Sequence, residues 1–189
     1  MSVENEILKA LDVLFQGGVI LYPTDTVWGL GCDASNPDAI ERLYQIKERD
    51  KDKPLLVLLD DMEKLKDYFL HIPPVAYSLM RTVSKPLTII YPHARNLPAN
   101  LIARDGSLGM RIVNHPFCTP LIQRLGHPLT STSANFAGEP APASFNEINP
   151  ELIQLVDYTV NPELFPVSQN TPSAIYKILN DEKIICIRE

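Results

Sequence analysis

The sequence predicts an α/β protein, a mixed β-sheet covered by helices. Three observations carry that expectation. Apolar residues recur at helical spacing in two segments, Ile7, Leu11, Leu14 and Phe15, then Ile40, Leu43, Tyr44 and Ile46. Continuous apolar runs of strand length lie between and after them, as buried strands of a covered sheet do. The last strands follow one another with no helix between, which makes the sheet mixed.

Each element has a local reason. Residues 4–16 read as an amphipathic helix closed by Gly17-Gly18. Val19-Ile20-Leu21-Tyr22 is a buried strand stopped by Pro23. Asn36-Pro37-Asp38 opens the next helix with a cap and a proline at the first helical position. Strands are expected over residues 54–59, 87–91 and 108–113, a helix over 116–125, and a short strand over 128–131 that runs into the turn Ser133-Ala134-Asn135. A helix near residues 150–155 and strands near Tyr158, 173–178 and 183–187 complete the series.

Bulk properties set the limits. The 189 residues fit one domain over 1–189, and 45% hydrophobic with 21% charged residues suffices for a real core. Proline, at 17 residues, is about twice its average usage of about 5%, so loops should be stiff and sharply turned. A net charge of −6 argues against a whole-surface polyanion binder, although a few placed cations suffice for a small anion. Cys32, Cys118 and Cys186 are far apart and odd in number, and are read as buried free thiols of a reducing compartment. The polar, acidic start MSVENEILKALDVL is no signal peptide and no apolar run is long enough to span a bilayer, so a cytoplasmic location is expected.

No P-loop, dinucleotide fingerprint or zinc-protease motif is present, and four scattered histidines offer neither a triad nor a metal cluster. What remains are polar groups at strand ends, where ligands of α/β sheets bind. Pro23-Thr24-Asp25-Thr26 either holds an amine or hydroxyl or is a capped proline turn. Lys47, Arg49, Lys51 and Lys53 lie within seven residues; they either bind a triphosphate or form a solvated helix end, and interleaved acids favour the latter. Arg111 lies inside an apolar run and must meet a carboxylate, internal or from a ligand. Ser131-Thr132-Ser133-Ala134-Asn135 either caps a turn or holds phosphate oxygens and a nucleotide. Ser173 and Arg188 close the set.

Taken in order, YPTDTVWGLG, IKERDKDKPLLVL, KPLTIIYP, LGMRIVNHP, LTSTSANFAG, PSAIYK and the final IRE resemble the YrdC-like family over nearly the whole chain. The resemblance implies a twisted open mixed sheet with flanking helices around a large central cavity. It also implies L-threonylcarbamoyladenylate synthesis from L-threonine, bicarbonate and ATP, with release of pyrophosphate, for N6-threonylcarbamoyladenosine modification of tRNA. By motif, Thr26, Arg111, Ser131 and Ser173 would bind threonine. Lys47, Arg49, Lys53, Ser107, Ser133, Asn135 and Arg188 would bind ATP, with Mg²⁺ carried by the nucleotide. No residue is assigned as a catalytic base or metal ligand. Implied macromolecular partners are tRNA or other RNA and the downstream threonylcarbamoyl transferase proteins.

Four departures stand out. Leu58 takes the place of a histidine frequent in the family, Ser84-Lys85 that of a proline-glycine, Val113 that of a proline, and Ala174 that of a threonine after Ser173. Two other readings follow: an RNA-binding, translation-associated module, and a diverged relative acting on another nucleotide or acyl substrate.

Overall fold

In the computed structural model, which describes residues 2–50, 53, 55–165, 171–180 and 183–189, the two strongest helical patterns form the two longest helices. Helix α1 (Val3–Phe15) starts at Ser2, whose side chain accepts from the Asn5 amide at 3.3 Å. It closes at Gly17, whose φ of 78° is a left-handed value that a side chain would resist. Helix α2 (Pro37–Lys47) is capped by Asn36, which accepts from the amides of Asp38 and Ala39. Its end turns through Glu48 at φ 49°, with the Arg49 amide donating back to the Tyr44 carbonyl at 3.1 Å. That turn delivers the cationic segment toward the sheet.

The strands are β1 (Ile20–Tyr22), β2 (Gly29–Gly31), β3 (Leu56–Leu59), β4 (Leu87–Tyr91), β5 (Leu108–Ile112), β6 (Leu129–Ser133), β7 (Tyr158–Thr159), β8 (Ala174–Ile178) and β9 (Ile184–Arg188). They form one sheet in the order β7-β1-β2-β6-β3-β5-β4-β8-β9. Three pairings are parallel (β1 with β7, β3 with β5, β4 with β8) and five antiparallel, so the sheet is mixed as expected. Helices α3 (Leu65–Tyr68), α4 (Pro74–Thr82), α5 (Cys118–Leu125) and α6 (Pro150–Leu155) complete the α elements. Helix α1 packs on α5, and α5 reaches β3.

Several boundaries differ from expectation. Strand β2 and helices α3 and α4 were not anticipated. Strand β2 is three residues long with glycines at both ends, so it shows neither alternation nor β-propensity. Helix α5 begins at Cys118 rather than 116, because the turn before it is closed by the Thr119 side chain, which accepts from the His115 amide. The strand expected to end at residue 131 continues to Ser133. Proline 54, expected to open a strand, lies outside the described residues. Cys32 and Cys118 are buried free thiols, but Cys186 is exposed, since it lies on β9, an edge strand exposed along its length. No helix among the described residues is long and apolar enough to cross a membrane.

Register places the functional side chains. Leu58, Arg111, Thr88, Ile175 and Arg188 are successive Cα partners across β3, β5, β4, β8 and β9. Residues in register share a face of the pleat. Thr88, Arg111, Ile175 and Arg188 line a cavity of about 760 Å³ on one face. Their strand neighbours Leu87, Ile89, Met110 and Ile112 line a second cavity of about 930 Å³ on the other.

Candidate active site

The turn after β1 is built by Thr24. Its hydroxyl donates to the Val27 carbonyl at 2.8 Å and accepts from the Thr26 amide at 3.0 Å. The two threonine hydroxyls are 2.9 Å apart. Because the Thr24 proton is committed to Val27, Thr26 must donate to Thr24. Arg111 Nη1 then donates to Thr26 Oγ1 at 2.9 Å. Thr26 is thereby left with one acceptor lone pair, and it presents an oxygen rather than a hydrogen to any ligand.

Arg111 is 3% exposed. Its Nη2 lies 3.2 Å from Asp25 Oδ1, an ion pair held by charge, since that oxygen has no aligned hydrogen bond. The buried Nε has no hydrogen-bond partner either. Burial raises the Asp25 carboxyl above its ordinary value, and Arg111 opposes the shift. His115 is pushed down to about 4 by burial and by the Arg111 charge, so its ring is neutral near pH 7.

Along the same row, Ser173 shares a 2.8 Å hydrogen bond with Thr88, and Arg188 Nε donates to the Ser173 carbonyl at 2.9 Å. Burial and the neighbouring Arg111 lower the Arg188 value. At the start of β5, Ser107 donates to Asp105, whose other oxygen accepts from Lys177 of β8 at 2.6 Å. The Lys177 and Ser107 contacts hold the Asp105 carboxyl down at about 2.

The cationic segment behaves unevenly. Arg49 lines the cavity, with Nε donating to the Lys53 carbonyl at 2.6 Å, and burial lowers its value. Lys47 is only 1% exposed and stands behind the wall. Its ammonium donates to the Ser133 carbonyl at 2.6 Å, to the Asn135 carbonyl, and to Asn135 Oδ1 at 3.3 Å. The Ala137 amide donates back to the Lys47 carbonyl, so the end of α2 and the turn after β6 are joined at two points. Burial and Arg49 push Lys47 down to about 8.

Of the residues singled out by sequence, Thr26, Arg49, Ser107, Arg111, Ser131, Ser133, Ser173 and Arg188 line the 760 Å³ cavity. Lys47 and Asn135 support its wall from behind, and Lys53 is exposed. Sequence reasoning missed Thr88, Asp105 and Lys177. Asp105-Gly106 is a turn signal that could have drawn attention to Asp105, but nothing in the sequence links it to a lysine 72 positions away. Among the described residues, no group of three His, Cys, Asp or Glu side chains could hold a metal ion.

The family described as "Telomere recombination", Sua5/YciO/YrdC, matches residues 12–189. The chain belongs to the Sua5/YciO/YrdC family. Within it, the chain is 36% identical over 184 residues to a threonylcarbamoyl-AMP synthase of Pseudoalteromonas translucida, covering 95% of this chain and 97% of that one. It is 36% identical over 166 residues to the threonylcarbamoyl-AMP synthase of Xanthomonas campestris pv. campestris, covering 86% and 89%. Among solved structures it resembles E. coli YciO, with TM-score 0.81 at 25% identity, covering 98% of this chain and 89% of the other. It also resembles P. abyssi Sua5 complexed with L-threonine, with TM-score 0.85 at 22% identity. The whole chain is covered there, but it spans only 54% of that longer protein. At that identity the likeness speaks for the fold alone.

Proposed function

We propose that this chain, as a single YrdC-like domain over 1–189, is an L-threonylcarbamoyladenylate synthase serving N6-threonylcarbamoyladenosine modification of tRNA. The observation that carries the reading is the convergence on one cavity of a buried, incompletely partnered arginine, an acceptor-only threonine hydroxyl and a cationic rim. Its volume falls in the range of ligand cavities, about 300–1,000 Å³. The curated relatives of nearly equal length carry that activity in their names.

On this reading the threonine carboxylate meets the Arg111 fork, a planar donor suited to it. Thr26 accepts from the ammonium or hydroxyl of the substrate, and the Ser131 and Ser173 hydroxyls complete that end. Arg49, Lys53 and Arg188 neutralise the ATP phosphates. Lys47 keeps Ser133 and Asn135 at the nucleotide end from its seat behind them, and Ser107 contributes its hydroxyl to the same end.

The unprotonated amine takes up carbon dioxide from bicarbonate to give a carbamate and a proton. A carbamate oxygen attacks the α-phosphorus, the bond to the β-phosphate oxygen breaks, and pyrophosphate leaves. The nucleophile is already an anion, so the protein's work is positioning and charge neutralisation. Mg²⁺ enters with the nucleotide. The product passes to transferase proteins that act on tRNA, in the cytoplasm.

Pyrophosphate release measured with ATP, threonine and bicarbonate, each omitted in turn, tests the reading. Release should need all three, and the adenylate should be found by mass spectrometry; threonine-independent release overturns it. Arg111→Ala should raise the threonine KM well above tenfold with ATP affinity little changed, as expected for loss of a charged hydrogen bond of about 1.5–3 kcal/mol. Equal losses for both substrates would contradict the carboxylate role.

A further inference from the structure

Arg111 is held on two sides by a single turn. Nη1 donates to Thr26, and Nη2 leans on Asp25, the residue just before it. One contact fixes a nitrogen; two fix the plane of the guanidinium. Asp25 is the only carboxylate in ion-pair contact with Arg111 among the described residues.

The placement of Asp25 is particular. Arg111 lines the 760 Å³ cavity, whereas Asp25 lines the cavity on the opposite face of the sheet. Asp25 therefore approaches the guanidinium from behind, where it offsets the charge without occupying the place of a ligand. The turn that carries it is rigid, because Thr24 spends its hydroxyl on both the Thr26 amide and the Val27 carbonyl. On the strand beside Arg111, the register partner Leu58 is fully buried and brings no polar atom that could replace Asp25.

We propose that Asp25 is a positioning residue, which orients the Arg111 fork so that the site selects a ligand bearing a carboxylate. The proposal rests on the synthase reading above. Asp25 touches no reacting atom in it. Its action runs wholly through Arg111, so its effect must depend on the carboxylate of the ligand.

That dependence gives the test. Affinities for L-threonine and for threoninol, in which the carboxylate is reduced to an alcohol, are measured by calorimetry on the full chain with a non-hydrolysable ATP analogue present. Wild type should prefer threonine. In Asp25→Asn the threonine affinity should fall about tenfold or more, threoninol should change less than twofold, and analogue affinity should be unchanged. Asp25→Glu keeps the charge on a longer arm and should fall between. A general packing role would weaken both ligands together and leave their ratio at the wild-type value; that result overturns the proposal. Thermal unfolding with the analogue bound checks that each variant is folded. If Asp25→Asn does not fold, the ratio in Asp25→Glu decides, and an unchanged ratio overturns it. A wild type that does not bind threonine, or binds threoninol as well, would instead refute the synthase reading.

Discussion

Gly31 shows how tightly the site wall is built. A Cβ placed there would lie 2.1 Å from the Thr130 carbonyl oxygen and 2.9 Å from Tyr22 Cε1. Ordinary contact begins at 3.4 Å, so in Gly31→Ala β2 and β6 must separate by about 1.3 Å, the difference between that and 2.1 Å. The obstructing atom is backbone and cannot swing aside. Four of the hydrogen bonds at Thr130 depend on that spacing: it donates its amide to Cys32 O at 2.9 Å and its hydroxyl to the same carbonyl at 3.0 Å. It also accepts from the Cys32 amide at 2.7 Å and from Tyr22 Oη at 2.9 Å. At about 1 kcal/mol each, their loss destabilises by about 4 kcal/mol. For a chain of this size that lowers Tm by about 8–16 °C. Gly109→Ala is the control, because its Cβ would find nothing nearer than 3.5 Å, and it should cost under about 1 kcal/mol. Calorimetric melts of both variants decide. A fall of less than about 3 °C in Gly31→Ala would mean that these two backbones do have room to part.

Other expectations concern single side chains. Lys47→Met keeps the buried stem but leaves the Ser133 and Asn135 acceptors unsatisfied; it should lower stability by about 2–4 kcal/mol in urea unfolding and weaken ATP binding measured by calorimetry. His115 sits at about 4 in the folded chain against 6.5 ordinarily, so the unfolded chain takes up the proton first. Its contribution to stability is therefore complete above pH 6.5 and is lost as pH falls through 4. A pH series of urea midpoints should flatten across that window in His115→Gln. Of three thiols, Cys186 alone should react with a thiol reagent in the native protein, and Cys32 and Cys118 only in denaturant.

How much of this was legible depended on whether the cause was local. Helices α1 and α2 could be read because capping by Ser2 and Asn36 and apolar periodicity act within one turn of chain. The motifs at strand ends named most of the cavity wall, because strand ends are where side chains can face a ligand. Strand β2 could not be read, since its identity lies in the close approach to Thr130 rather than in its own side chains. Lys47 belongs to a cationic cluster in sequence, yet it points into carbonyls contributed 86 and 88 positions later. The Asp105–Lys177 pair and the Asp25 approach from behind likewise depend on register across strands far apart in the chain.

The edge position of β9 has a consequence for ligand affinity. The strand has a neighbour on one side only, and Ile185 and Ile187 are exposed on it. Edge segments of this kind detach at lower free energy than the central sheet does. Arg188, which faces the cavity and holds the Ser173 carbonyl, leaves whenever the strand leaves. The fraction of time β9 is docked therefore multiplies the affinity of any anion Arg188 holds. Conversely, such an anion should slow amide exchange along β9 more than anywhere in the strands at the centre of the sheet, making the last strand a reporter of occupancy.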